Sequence, residues 1–163
     1  MNRRFFALGV AAMVGFVAHD ALASSLEIRP HVGGGYGSEL ENESSGNLLH
    51  VGGRVLLSAN EKQSYGVETT YLRVPAKGAH ADYLAVGIVL EQRLWNWFNM
   101  SIGTVGYVGL SSRTGNPFGI VTNLGWEPSW GRISPFVTYR SDWIFNNPVV
   151  NASSLSVGAT LQF

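Results

Sequence analysis

Few residues in this 163-residue chain have chemical reach. Its histidines are His19, His31, His50 and His80, and it has no cysteine. That excludes a disulfide framework, a thiolate zinc site and a cysteine nucleophile. A metal centre needs imidazoles and carboxylates at ligand spacing, and none of the four histidines has such a setting. His31 and His50 fall on adjacent predicted strands and read as hydrogen-bonding groups inside the fold, while His80 falls in a connection. Gly33-Gly34-Gly35-Tyr36-Gly37 lacks the Gly-Lys-Ser/Thr ending and the strand-to-helix setting of a phosphate loop, so its glycines read as room and curvature within a strand. No Ser-His-acid motif is visible. The sequence therefore predicts no catalytic residue, no metal and no cofactor.

Charged residues offer a different chemistry. Glu27, Glu68, Glu91 and Asp142 face Arg29, Arg54, Arg93 and Arg140 in equal numbers, and all fall within or near the start of predicted strands. Such a set suits a closed interior in which every charge has a partner. The pairs Arg54–Glu68 and Glu68–Arg93 are open between sequential strands. Arg140 finds no carboxylate on either neighbouring strand, so its partner is expected across the interior.

The elements that must carry these residues alternate with a period of two. In Leu155-Ser156-Val157-Gly158-Ala159-Thr160-Leu161-Gln162-Phe163 the odd positions are apolar and the even ones small or polar. The pattern recurs in Phe118-Ile120-Thr122-Leu124-Trp126 and in Ile133-Pro135-Val137-Tyr139. Turn clusters separate the runs, giving eight predicted strands at 26–37, 47–58, 64–74, 82–94, 98–110, 118–127, 132–143 and 153–163. Only 13% of residues are charged and the formal net charge is +0, so there is no basic excess to hold nucleic acid. No stretch after Ser24 is long and apolar enough for a helical span.

Two barrels fit this series, one soluble with apolar residues inside and one membrane-embedded with apolar residues outside. Two features favour the second. The charges lie mid-strand, and the only lysines past Ser24 are Lys62 and Lys77, both in connections. Leu155, Val157, Ala159 and Leu161 are then expected to point outward, and Ser156, Gly158 and Thr160 inward. Trp95, Trp97, Trp126 and Trp130 gather at one barrel end as an aromatic girdle, with Tyr36, Tyr71, Tyr83 and Trp143 near the other. Ahead of this, residues 1–23 carry Arg3-Arg4, an apolar run from Phe5 to Val17 and the small-x-small site Ala21-Leu22-Ala23. That is the pattern of a secretory signal peptide removed before Ser24. The predicted organisation is a cleaved signal at 1–23 and one barrel domain at 24–163.

Ser156, Gly158, Leu161 and Phe163 match the polar, any, Gly, any, any, hydrophobic, any, hydrophobic pattern of the last strand of bacterial outer-membrane β-barrels. The chain resembles that family over these eight residues strictly, and over the rest by strand count and length. In size it is similar to the small eight-stranded group that includes the OmpA membrane domain, OmpX and PagL. The resemblance implies an eight-stranded antiparallel up-and-down transmembrane β-barrel in the Gram-negative outer membrane. It also implies outer-membrane lipid and lipopolysaccharide as surroundings, and insertion by the outer-membrane assembly machinery. It names no protein partner. A structural or surface/partner-binding role is expected. An eight-stranded barrel is too narrow for an open channel, which weighs against a porin-like role. The alternative is a lipid A-modifying enzyme or its inactive relative. The segment from Tyr139 to Pro148 is loosely similar to the end of the lipid A deacylase family, where a His-x-Ser pair precedes a proline and then a glutamate. Ser141 and Pro148 match, but Tyr139 stands at the histidine position and Ser153 at the glutamate position. No base is then present to activate Ser141.

Overall fold

The computed structural model describes residues 25–40, 45–76, 79–110, 114–128 and 130–163. The predicted signal segment 1–23 lies outside them, as do parts of the turn clusters around 41–44, 77–78 and 111–113. The described chain folds into β1 (Leu26–Glu39), β2 (Ser45–Ser58), β3 (Gln63–Ala76), β4 (Ala79–Trp95), β5 (Phe98–Gly109), β6 (Phe118–Trp126), β7 (Ile133–Phe145) and β8 (Val150–Gln162). Each strand pairs antiparallel with the next, and β1 pairs with β8 to close the barrel. Closure leaves no strand edge open, which removes the usual liability of an exposed sheet.

Both ends of the described chain, Ser25 and Phe163, and the β2–β3, β4–β5 and β6–β7 turns lie at one mouth, here called the terminal end; the other connections lie at the loop end. The shortest terminal-end turn is the one between β4 and β5. Asn96-Trp97 alone joins β4 to β5, and Gly131 supplies a left-handed φ of 92° before β7.

The period-two pattern fixes which side each residue faces. On β8, Leu155 and Val157 are exposed on the outer wall, while Ser156 and Thr160 are buried inside. The same division runs round the barrel: Val32, Leu49, Val67, Leu90, Ile102 and Leu124 all stand exposed outward. Trp95, Trp97, Trp126 and Trp130 are exposed at the terminal end, as their positions predict. Tyr83 departs from the expected second girdle. It is 2% exposed and points inward, its ring edge-on to Tyr107 at 5.9 Å between centroids.

That inward tyrosine belongs to a feature the alternation did not predict. Leu48, Leu72, Val74, Ala81, Tyr83, Tyr107, Ile144, Val150 and Ala152 form one buried cluster with further apolar residues. They sit mainly toward the loop end, opposite the two chain termini. The interior is thus partly an ordinary apolar core, where the alternation predicts a polar face rich in Gly, Ser and Thr. Strands such as β2, with Leu48-Leu49 and Leu56-Leu57, are apolar on both faces.

Candidate functional site

The polar part of the interior falls into two clusters. The central one spans the full width of the barrel. Glu68 on β3 accepts from Arg54 Nε of β2 at 2.7 Å, and its other carboxylate oxygen accepts from Arg140 Nη1 of β7. β3 and β7 are four strands apart whichever way the wall is followed, so this contact crosses the lumen. Arg140 also holds Asp142, two residues along its own strand, in a two-point grip: Nε to Oδ2 at 2.7 Å and Nη2 to Oδ1 at 2.8 Å. Residues two apart share a face of a strand, which is why both point inward. Tyr107 of β5 donates to Asp142 Oδ1 at 2.8 Å, and Thr70 donates to Glu68 Oε1 at 3.2 Å. Arg140 is fully buried.

The two inward histidines flank this cluster. His50 Nε2 lies 3.0 Å from Ser154 Oγ and 3.3 Å from Ser156 Oγ. His31 Nε2 lies 3.4 Å from Thr70 Oγ1, and the two imidazoles are 5.5 Å apart between centroids. Gly33 makes the room. A Cβ there would come within 2.4 Å of His50 Nε2, so only a glycine lets the ring lie against β1. Both histidines act as hydrogen-bonding groups of the interior, as their placement on adjacent strands suggests.

A second cluster lies toward the terminal end, built on one guanidinium. Arg29 Nη1 reaches Glu91 Oε1 at 2.8 Å and Glu127 Oε2 at 3.3 Å, and Nη2 reaches Glu27 Oε2 at 2.5 Å. Asn99 Nδ2 donates to Glu127 Oε2 at 3.0 Å, and Gln162 Nε2 donates to Glu27 Oε1 at 3.2 Å. Burial at the barrel mouth pushes the Glu127 carboxyl above its ordinary value, against the pull of Arg29.

Of the predicted network, the structure brings together Arg29, Arg54, Glu68, Glu91, Arg140 and Asp142 in these two clusters. Arg93 is a correction. It is exposed and takes part in neither cluster. The last β3–β4 pair is Gln63 with Gln92, and the β4–β5 register shifts between Arg93 and Trp95. Arg93 therefore stands beyond the end of the β3 wall, on the rim. Glu127 is the residue the sequence reading missed. It follows β6 directly, where continued alternation from Asn123 and Gly125 points it inward. The exchange upsets the expected equality of charge. The two clusters hold five carboxylates, Glu27, Glu68, Glu91, Glu127 and Asp142, against three guanidiniums.

The assembly-signal positions sit on β8 and just past it. Ser156 is buried beside His50, Leu161 pairs with Ile28 and Ile133, and Phe163 is exposed. Gly158 is packed under Phe136, whose ring a Cβ at that position would meet at 2.5 Å. Among the described residues no imidazole or carboxylate is paired with Ser141. Its register neighbours are Thr122 and Ser153, and Tyr139 donates to Ser153 Oγ at 3.0 Å. His50 faces inward, behind the wall that carries Ser141 outward. The lipid A-modifying alternative thus finds no support at the one serine that suggested it. Among the described residues no group of three or more His, Asp or Glu is arranged to hold a metal.

No family model and no curated protein sequence matches the chain. Solved structures do. Neisserial surface protein A (NspA) superposes with a TM-score of 0.59 at 13% identity, covering 86% of this chain and 97% of that one. The fold is that of a small outer-membrane β-barrel. Ail, the attachment invasion locus protein of Yersinia pestis, matches at 12% identity over 86% of this chain and 98% of its own, with a TM-score of 0.46. A de novo designed transmembrane β-barrel matches at 11% identity over 85% and 95%, with a TM-score of 0.49.

Proposed function

We propose that this protein is an integral barrel of the bacterial outer membrane with a structural or surface-binding role. The observation that carries the reading is the inversion of its two faces. Ion pairs and hydrogen-bonded side chains fill much of the lumen, while Val32, Leu49, Val67, Leu90, Ile102 and Leu155 stand exposed outside. Charge facing lipid costs ~2–4 kcal/mol at the bilayer midplane, so a lipid-embedded wall keeps its charges inside. The terminal-end tryptophans fit the interfacial aromatic belt. The chain matches the OmpA-domain, OmpX and PagL group in size. Its surroundings are outer-membrane lipid and lipopolysaccharide. Ser156, Gly158, Leu161 and Phe163 form the signal read by the outer-membrane assembly machinery, after export and removal of residues 1–23.

The lumen argues for a passive role. Arg140, Tyr107, Tyr83, Leu72 and Ile144 are buried in its interior, and side chains from opposite walls meet at Glu68. This reading is tested by membrane fractionation together with heat-modifiable migration in gels. The expected result is an outer-membrane protein whose unboiled band migrates differently from the boiled one. Recovery in the soluble fraction with no heat-dependent shift would overturn it. The assembly signal is tested by Phe163→Ser, which is expected to lower the outer-membrane level; an unchanged level would remove that signal from the account.

A further inference from the structure

The rim residues that left the predicted network form a site of their own. Glu61, Lys62, Arg93, Leu94, Trp95, Asn96, Trp97 and Phe98 line an open groove of about 1010 Å³ at the terminal end. Its lining joins apolar Leu94, Trp95, Trp97 and Phe98 to charged Glu61, Lys62 and Arg93. Arg93 N donates to Lys62 O at 2.7 Å, which ties the β2–β3 turn to the end of β4, and both cations line the groove. Neither Arg93 nor Lys62 forms a side-chain ion pair among the described residues, and Glu61 beside them has no side-chain partner there either. Trp95 and Phe98 are held edge-to-face at 6.1 Å between centroids, so the aromatic wall is preformed.

We propose that this groove binds the headgroup of an aminophospholipid, with its phosphate on Arg93 and Lys62 and its ammonium on Glu61 and the tryptophan faces. The inference rests on the membrane reading above, which puts this rim at headgroup depth. Guanidinium and ammonium groups are strong phosphate donors. A carboxylate and an indole face both attract a lipid ammonium. The register shift after Arg93 is the device that makes the site: it ends the inward alternation one rung past the β3 wall, so that Arg93 lines the same groove as Trp95. Charge complementarity selects the occupant. Two cations and one carboxylate without ion pairs among the described residues, an apolar lining, and Glu27 and Glu91 in the adjoining pocket match a zwitterionic phosphate ester with acyl chains attached, and they match a wholly anionic or wholly apolar partner less well.

The test uses the chain inserted in vesicles of a digalactosyl diacylglycerol, which has neither phosphate nor ammonium, with a small amount of chain-spin-labelled phosphatidylethanolamine or phosphatidylglycerol. Electron paramagnetic resonance reads the immobilised fraction of each lipid. The wild-type barrel is expected to hold the ethanolamine lipid in preference to the glycerol lipid. Arg93→Gln with Lys62→Gln is expected to weaken both about three- to fivefold, the scale of exposed ion pairs. Glu61→Gln is expected to erase the preference while keeping the phosphate affinity. Arg132→Gln, an exposed cation on the same rim beside β7, serves as the control and is expected to change nothing. An inserted double variant that retains wild-type lipid association would overturn the proposal. So would an equal loss from Arg132→Gln, which would make the effect a property of rim charge at large. Preference for the glycerol lipid would likewise overturn it. Failure of the wild-type chain to insert at all would be a different result, counting against the membrane reading itself.

Discussion

The two charged clusters inside the barrel are built from the same residue types on different principles. In the central cluster two arginines meet two carboxylates, so the group is neutral, and its members come from strands two, three and seven of the wall. Toward the terminal end one arginine serves three carboxylates and the group carries a net negative charge. Burying charge is costly unless pairing is complete. The neutral set sits deep, with Arg140 and Glu68 almost wholly enclosed, and the unbalanced set sits at a mouth where Glu27 and Glu91 also line an open pocket. Glu27, Arg29, Glu91 and Glu127 are themselves buried, but the pocket that Glu27 and Glu91 line opens at the mouth, where a higher effective dielectric weakens the mutual repulsion of an excess that the middle of the barrel would not tolerate. The position of a charge along the barrel axis, as much as its partner, decides what its removal costs.

Three substitutions would sharpen or break that contrast. Glu68→Ala strips the shared acceptor from Arg54 and Arg140 at once. It is expected to destabilise the barrel by about 3–5 kcal/mol, the range for orphaning a buried charge, read as a drop in the denaturant midpoint of the detergent-folded protein. Arg29→Gln leaves three carboxylates without their common cation. Because the mouth can hydrate them, a smaller loss of about 1–3 kcal/mol is expected, and it should shrink as the pH is lowered and the carboxyls protonate. A loss equal to that of Glu68→Ala would erase the distinction between deep and rim clusters. Glu127→Gln is expected to give the smallest effect and the opposite sign. Burial raises the Glu127 carboxyl in the folded state, so the folded barrel binds that proton more tightly than the unfolded chain. Its contribution is therefore least unfavourable at low pH and worsens as pH rises above the ordinary value of 4.5. The glutamine should flatten that part of the stability–pH curve and gain less than about 1 kcal/mol at neutral pH. A wild-type curve with no such slope would show that Arg29 outweighs burial at this site.

Much of the architecture was legible because alternation leaves a barrel little freedom. Each predicted strand overlaps an observed one, since a one-residue slip would reverse every face. The pairing of Arg54 with Glu68 followed from adjacency, and the cross-lumen partner of Arg140 followed from the lack of an acid on β6 or β8. What stayed hidden lay at strand ends. Arg93 has inward parity but no wall behind it, and only the register shift after it shows this. Glu127 is the last residue of the predicted strand 118–127 and lies one residue past the observed β6, and its inward parity goes unread because the pattern is set by apolar Phe118, Ile120, Leu124 and Trp126 on the outer face. Asp142 was placed in the network, but its grip on Arg140 from two residues away was missed by looking only to neighbouring strands. The apolar interior was hidden for another reason. Where both faces of a strand are apolar, period-two reading has nothing to distinguish.

That last feature reaches beyond the folded state. In β4, Leu84-Ala85-Val86 and Ile88-Val89-Leu90 flank a single glycine, and within them no polar residue interrupts either face. Once the barrel is closed, one face meets the lumen cluster and the other the outside. Before closure the same segment has the composition of an aggregation-prone window: β-branched, uncharged and free of proline. The unfolded chain in water is therefore most exposed to self-association through this segment, and its refolding yield should rise with dilution, which keeps β4 from other chains until β3 and β5 arrive.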